Sequence, residues 1–375
     1  MLKQFEKHQQ QLCQKGLWRS RVMTRPLPKA RILSNNEEYI NFCSSDYLGL
    51  STHPRIKKTM QLSMEKNHFG STSSPLLSGY SVECEELKKT FCQHLGFEDA
   101  LVFPSGYQAN IGALSALLTR NSTALCDRLC HASIIDGLIL SRARIKRFRH
   151  NDISQAHDLM KEYTPDLFIT ESIFSMEGDI APSDEISSLC HSHSIPFFVD
   201  DAHGFGIMNH WKSTAKKPDI LSISFGKTLG LSGAIVLASN HIINLLLQYS
   251  RSYRYSIAIS PIICVGVLES LDVLLKEKWR LEKLKQLISL FNLYAMESKL
   301  PLISQDITPI RSIRIGDSHK TLAIAQYLKN KGIYVAAIRP PTVPENTSRI
   351  RISLSCSHET SDVQYLAQSI KEALQ

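Results

Sequence analysis

Between residues 100 and 239 short apolar runs recur, and the first three are each followed by a helical pattern. ALVFP (100–104) precedes YQANIGALSALL, TALCD (123–127) precedes ASIIDGLILS, and RIKRF (144–148) precedes ISQAHDLMKEY. DLFITE (166–171), PFFVDD (196–201), ILSISF (220–225) and GAIVLAS (233–239) bring the strand candidates to seven. A strand with one wet face alternates apolar and polar residues. Most of these runs are nearly all apolar instead, so both of their faces are expected to be covered. Short strands buried on both sides and separated by helices predict an α/β core over roughly 46–270, built on a mostly parallel seven-stranded sheet. Sheets of this kind gather ligands at the carboxyl ends of their strands.

The flanks read differently. MLKQFEKHQQQLCQKGLW is a polar amphipathic helix without the apolar core of a signal peptide, and residues 1–45 form a helical arm. Helical periodicity over 260–298 leads into a small α+β domain, 271–375, with the strands IRSIRIG, IYVAAI and RIRISLS and the helices KTLAIAQYLKNKG and ETSDVQYLAQSIKEAL. The 375 residues suffice for two packed units, and 43% hydrophobic with 21% charged residues suits a soluble enzyme and not a disordered chain. The net charge of +8 is dispersed except for RARIKRFRH (142–150). That cluster reads either as tolerance of an anionic ligand or as a solvated strand edge, and does not argue for nucleic acid. Nine cysteines with no CxxC read as reduced, mostly buried thiols of a cytoplasmic protein. CHSHS (190–194) lies where a polar helix end is expected, so no metal is assigned. No apolar run reaches membrane-spanning length, and no membrane partner is expected.

The carboxyl ends of the predicted strands carry Glu171, Asp200, Asp201 and, just after a strand, Lys227; Ser105, Gly106 and Tyr107 follow the first strand and open a helix. In SFGKTLG, Lys227 is either a surface lysine in a turn or an amine held out for an aldehyde cofactor. Asp200 ends a buried strand, where a carboxylate can pair with a protonated ring nitrogen; Asp201 suits a helix cap. His203 can reach the same pocket, and His131 follows another strand in DRLCHASIID. The opening of the helix at Ser105 and Gly106 offers free N–H groups to a phosphate, or is a plain strand–helix turn. No GxGxxG follows the first strand, which argues against a dinucleotide-binding dehydrogenase. Taken together, in this order, these features specify pyridoxal 5′-phosphate more sharply than any one alone.

The motifs NFCSSDYLGLSTHP, LSGYS, FPSGYQAN, DRLCHAS, RFRHND, ESIFSMEGDIAP, VDDAHGFG, SFGKTLGLSGA and AIRPPTVP run nearly end to end. Through them the chain resembles the α-oxoamine synthases, fold-type I pyridoxal-phosphate enzymes that condense an amino acid with an acyl thioester. AIRPPTVP points to the branch that joins L-alanine to a pimeloyl thioester, on coenzyme A or an acyl carrier protein; the alternatives are a member using glycine or serine, and a catalytically silent subunit of the fold. The resemblance implies Lys227 as Schiff-base lysine, Asp200 as partner of the ring nitrogen, His203 and Ser175 near the ring oxygen, and His131 stacked on the ring. It implies Ser105, Gly106, Tyr107 and Ser224 around the phosphate, with Ser256 reaching it from the other subunit of a homodimer that shares its active sites. Arg351 would fork onto the amino-acid carboxylate, Arg19, Arg339 and Thr342 would lie on the acyl side, Ser45 near the substrate, and Glu171 behind the site. Departures from the family pattern are Ser45 for asparagine, a less glycine-rich 69–80 with Pro75, Cys84 for histidine, Cys130 for serine, Ser224 for threonine, and Ser256–Ile257 for two threonines. They touch the substrate side more than the cofactor side.

Overall fold

The computed structural model describes residues 2–66, 68–208 and 217–375. The chain begins with helix α1 (Leu2–Gln14) and the short strands β1 (Arg25–Leu27), β2 (Arg31–Ser34) and β3 (Glu37–Asn41), followed by α2 (Pro54–Met64) and α3 (Val82–Leu95). Strands and helices then alternate: β4 (Asp99–Phe103), α4 (Gly106–Leu117), β5 (Thr123–Asp127), α5 (Ala132–Ser141), β6 (Arg144–Phe148), α6 (Ile153–Tyr163), β7 (Leu167–Glu171), α7 (Ser183–Ser192) and β8 (Phe197–Asp200). Next come β9 (Ile220–Ser224), β10 (Ala234–Ala238), α8 (Asn240–Tyr249), α9 (Arg251–Arg254), α10 (Pro261–Lys276) and α11 (Trp279–Glu297). The chain ends with β11 (Ile310–Gly316), α12 (Ser318–Asn330), β12 (Ile333–Tyr334), β13 (Ala336–Ile338), β14 (Ser348–Ser353) and α13 (Thr360–Leu374).

By packing, residues 50–174 and 180–278 form one unit, and residues 1–49, 175–179 and 279–375 the other. The first unit holds the seven-stranded sheet, in the order β4-β10-β9-β8-β7-β5-β6. All strands run parallel except β10, which pairs antiparallel with both β4 and β9. The sequence shows why nearly every strand residue is apolar. Val102, Leu125, Phe168, Val199 and Leu221 face one core with Leu87 and Phe91 of α3, Met160 of α6 and Ile186 of α7. The intervening Leu101, Phe103, Ala124, Cys126, Ile169 and Phe198 face a second core with Ala109 and Leu114 of α4 and Ile134 and Leu138 of α5. Period-2 alternation thus sends successive side chains into two separate cores. Helix starts are set by side-chain caps: Ser105, Asp152 and Ser239 each accept a backbone N–H at the first turn of α4, α6 and α8.

The other unit holds a four-stranded sheet, β1-β2-β3-β12, and a three-stranded sheet, β11-β14-β13. The run IYVAAI, expected as one strand, is two: β12 pairs parallel with β3, and β13 pairs antiparallel with β14. Apolar patterning cannot separate these, because both pieces are apolar and only Val335 lies between them. The segment 175–179 reaches this unit between β7 and α7. Gly178, at φ +77°, is required there: a side chain would meet the Ile310 carbonyl oxygen at 2.2 Å. The 260–298 periodicity resolves into α10 and α11, which fall in different units.

Candidate active site

Glu171 and Asp200 end neighbouring strands and are register partners, β7 to β8. Both are buried, Glu171 to 3% exposure and Asp200 to 6%. A buried carboxylate persists only with donors around it. Asp200 has two: Asn110 Nδ2 donates to Oδ2 at 2.6 Å and the Ala202 N–H to Oδ1 at 3.0 Å. Glu171 accepts the His131 N–H at 2.5 Å. Burial first, then the Asp200 charge beside it, pushes the Glu171 carboxyl well above the usual carboxylate range. Two adjacent acids thus share one dry place, and the proton is favoured on Glu171.

Lys227 lies in the turn between β9 and β10. Its carbonyl accepts the Gly230 N–H, and the Phe225 N–H donates to the Gly233 carbonyl, so the turn is closed by its own backbone. The Lys227 and Asp200 charges both act on His131 and on Glu171, which puts amine and acid in one electrostatic neighbourhood. Crowding around the His131 imidazole lowers its pKa; Asp200 opposes this and Lys227 reinforces it. His203 is buried beside Asp201, which accepts from the Ser172 hydroxyl. Asp201, expected as a helix cap, is instead held in the β8–β9 connection, its N–H donating to the Ser222 carbonyl at 2.8 Å.

The start of α4 faces the end of β9. A side chain on Gly106 would touch Ser224 Cβ at 3.4 Å, so the helix N-terminus and the Ser224 hydroxyl converge. Ser105 caps the helix by accepting the Gln108 N–H, and Gln108 Nε2 donates to Ser256 Oγ at 3.4 Å. Free N–H groups at a helix start, ringed by hydroxyls, make an anion cradle. The Tyr107 hydroxyl donates to Asp136, and its ring meets His131 edge-on at 6.3 Å. What Tyr107 has to offer an anion is therefore its backbone. Asn110, on the same helix, ties this cradle to Asp200. It lies in the PSGYQAN motif, four residues after Gly106, and spacing along one helix face was the signal that could have marked it.

In the other unit, Arg351 is held by two hydrogen bonds. Its Nε donates to the Ser175 carbonyl at 2.6 Å and Nη1 to Ser353 Oγ at 3.1 Å. Burial raises the Tyr47 phenol, against the Arg351 charge and hydrogen bonds to Ser45 and Arg351; the structure thus joins Ser45, Tyr47 and Arg351. The 175–178 backbone is itself held down. Ser312 and Arg349 donate to the Met176 carbonyl, Arg349 Nη1 to Glu177 Oε1 at 2.6 Å, and Arg311 and Thr308 to the Gly178 carbonyl. Neither Arg311 nor Arg349 stood out in the sequence, where they read as alternate positions of polar strands. Arg19 Nη2 donates to the Arg339 and Pro340 carbonyls at 3.1 and 3.2 Å and to Thr342 Oγ1 at 3.2 Å, and Arg339 donates to the Gly16 carbonyl. Burial, then the Arg19 charge, lowers the pKa of Arg339.

The sequence pattern described as aminotransferase class I and II matches residues 37–370. The 8-amino-7-oxononanoate synthase of Hahella chejuensis is 36% identical over 365 residues, 95% of this chain and 92% of that protein. The crystal structure of 8-amino-7-oxononanoate synthase from Francisella tularensis matches with a TM-score of 0.80 at 29% identity, over 90% of this chain and 98% of that one. Serine palmitoyltransferase of Sphingomonas wittichii matches with a TM-score of 0.91 over 99% of this chain and 96% of that one; at 24% identity this is a likeness of fold. The chain belongs to the class I and II aminotransferase family and, within it, to the 8-amino-7-oxononanoate synthases.

Proposed function

We propose that this protein condenses L-alanine with a pimeloyl thioester, on coenzyme A or an acyl carrier protein, releasing CO2 and the free thiol and forming 8-amino-7-oxononanoate for biotin synthesis. The observation that carries the reading is the meeting of an amine, a buried carboxylate and an anion cradle at one sheet edge, in a chain 36% identical to enzymes of that name. These residues fit pyridoxal 5′-phosphate. Lys227 suits its aldehyde, Asp200 its ring nitrogen, His203 and Ser175 its ring oxygen, and the start of α4 with Ser105, Gly106, Tyr107 and Ser224 its phosphate, which Ser256 would reach from the other subunit. The cofactor supplies an electron sink when a bond at the amino-acid Cα is broken.

The chain's own groups do the rest. Arg351 forks onto the alanine carboxylate, its other contacts already fixed by Ser175 and Ser353. Lys227 Nζ takes the Cα proton and returns it after CO2 has left. His131 would stack on the cofactor's ring and donate a hydrogen bond to the thioester carbonyl. Arg19, Arg339 and Thr342 hold the acyl chain, and Ser45 sets the near side of the substrate site through Tyr47. The active unit is a homodimer with shared sites, which exposed Leu77, Val82, Ile139, Leu140 and Ile257 support as apolar surface for a second subunit. The location is cytoplasmic, supported by nine cysteines that are all free; no described helix is long and apolar enough to cross a membrane.

The test is purified protein with pyridoxal phosphate, offered L-alanine, glycine or L-serine against pimeloyl, acetyl, succinyl and palmitoyl thioesters, with the product weighed by mass spectrometry. Product from alanine and a pimeloyl thioester alone is the expected result. Preferential turnover of glycine or serine overturns the substrate reading, and no turnover by pyridoxal-phosphate-loaded protein points to a silent subunit.

A further inference from the structure

Asn110 is among the most buried polar residues, at 2% exposure, and has no role in the chemistry given above. Its Nδ2 lies 2.6 Å from Asp200 Oδ2 and 2.9 Å from Ser133 Oγ. A carboxylate only accepts, so the atom facing Asp200 is the amide nitrogen, and its two protons serve Asp200 and Ser133. The Ser133 oxygen therefore accepts from Asn110, and its single hydroxyl proton is free to point onward. It points at His131 Nδ1, 2.8 Å away, the same nitrogen that the Ser133 N–H approaches at 3.2 Å. A ring nitrogen that accepts carries no proton, so the imidazole N–H is left at Nε2. Ser133 is fully buried, and no water competes for its hydroxyl.

We infer that Asn110 and Ser133 are positioning residues: a relay from the Asp200 carboxylate through the Asn110 amide and Ser133 hydroxyl fixes His131 as the neutral Nε2–H tautomer. The inference rests on the roles proposed for His131 and Asp200. The tautomer decides what His131 can do. With Nδ1 committed, Nε2 is a hydrogen-bond donor, able to polarise a carbonyl oxygen without first taking up a proton. The relay also ties His131 to the acid that serves the cofactor's ring nitrogen, so that both are set by one amide. The lowered imidazole pKa agrees with a neutral ring; desolvation by the protein packed around it is the main cause, although the residue keeps an exposed edge, Lys227 adds to it, and Asp200 and Asp136 oppose it.

The experiment uses the pyridoxal-phosphate-loaded protein, labelled with 15N at histidine, with His131→Gln to assign the resonance. At about pH 7.5 wild type is expected to show an unprotonated Nδ1 and a protonated Nε2. Ser133→Ala, which removes only the hydroxyl, is expected to turn this into a mixture of tautomers. It should lower kcat about tenfold, part of the effect of a general acid–base group, because the backbone N–H still faces Nδ1; KM for L-alanine should change by less than about twofold. Asn110→Asp keeps the shape but places an acceptor against Ser133, drawing its hydroxyl proton away, and should shift the His131 resonances in the same direction. A proton on Nδ1 in wild type, or Ser133→Ala with unchanged nitrogen resonances and kcat, overturns the relay. The nitrogen spectra need no substrate. Wild type with the expected tautomer but no turnover of alanine would overturn the proposed reaction and leave the relay standing.

Discussion

Replacing Arg349 by methionine should damage both stability and alanine binding, and the structure sets the size of each effect. The Arg349 side chain is 3% exposed and its partner Glu177 12% exposed. Removing one member of a buried pair leaves the other as an uncompensated charge, which costs about 3–5 kcal/mol. At roughly 2–4 °C per kcal/mol for a unit of this size, the melting temperature should fall on the order of 10 °C. The catalytic consequence runs through the backbone. Arg349 fixes Met176 and Glu177, adjoining the Ser175 carbonyl that holds Arg351 Nε. Ser312 and Arg311 still hold Met176 and Gly178, so the segment shifts without detaching. A loss of about 1.4 kcal/mol in how Arg351 meets the alanine carboxylate is a roughly tenfold rise in KM for L-alanine, with kcat within about threefold. Thermal melts followed by circular dichroism and steady-state kinetics measure the two. The double variant Arg349→Met with Glu177→Met should recover most of the stability, since no buried charge remains, but should keep the raised KM. Wild-type melting together with wild-type KM in Arg349→Met would refute the reasoning.

Two further outcomes follow from the electrostatics. Glu171 has a raised folded pKa, so its contribution to stability is full below its unfolded pKa of about 4.3 and is lost as pH rises through the folded value. Glu171→Gln can still accept the His131 N–H and has no such loss; its melting temperature relative to wild type should rise from about pH 5 to pH 8, and parallel pH profiles would contradict this. Arg19 and Arg339 lie together without a carboxylate partner among the described residues, and Arg339 Nε is buried with no acceptor. Arg339→Met should therefore weaken use of a pimeloyl thioester about tenfold more than use of a thioester of equal length ending in methyl, measured as kcat/KM; an equal loss for both would remove the anion-binding role.

Much of the fold was legible because its strongest signal is local. A strand covered on both faces is mostly apolar, and Thr123–Asp127, buried throughout, matches the run read from sequence residue for residue; Arg144–Phe148 matches too, although three of its five residues are basic and it lies at the sheet edge. The reversal of β10 was not legible, since strand direction is set by how Gly230 and Gly233 turn the chain and leaves no mark on the apolar pattern. The strands β1 to β3 were missed because they are short and half-exposed, and their polar residues look like a loop. At the proposed site, Lys227, Asp200 and His131 drew notice because they lie at or just after strand ends, where ligands gather. Asn110 shares the helix of Gly106 and spacing could have marked it, but its tie to a carboxylate 90 residues away, like that of Arg349 to a glutamate 172 residues away, appears only in the fold. Spacing finds groups that share an element; groups that meet across elements appear only once the chain has folded.

The central claim is that the amine of Lys227 is the group that bonds to the cofactor's aldehyde. Reduction of the pyridoxal-phosphate-loaded protein with borohydride, digestion and peptide mass spectrometry reads this out directly. The account predicts a phosphopyridoxyl label on the peptide carrying Lys227 and its loss, with the visible absorbance, in Lys227→Ala. A label on another lysine, or a Lys227→Ala protein that keeps both absorbance and turnover, would contradict it.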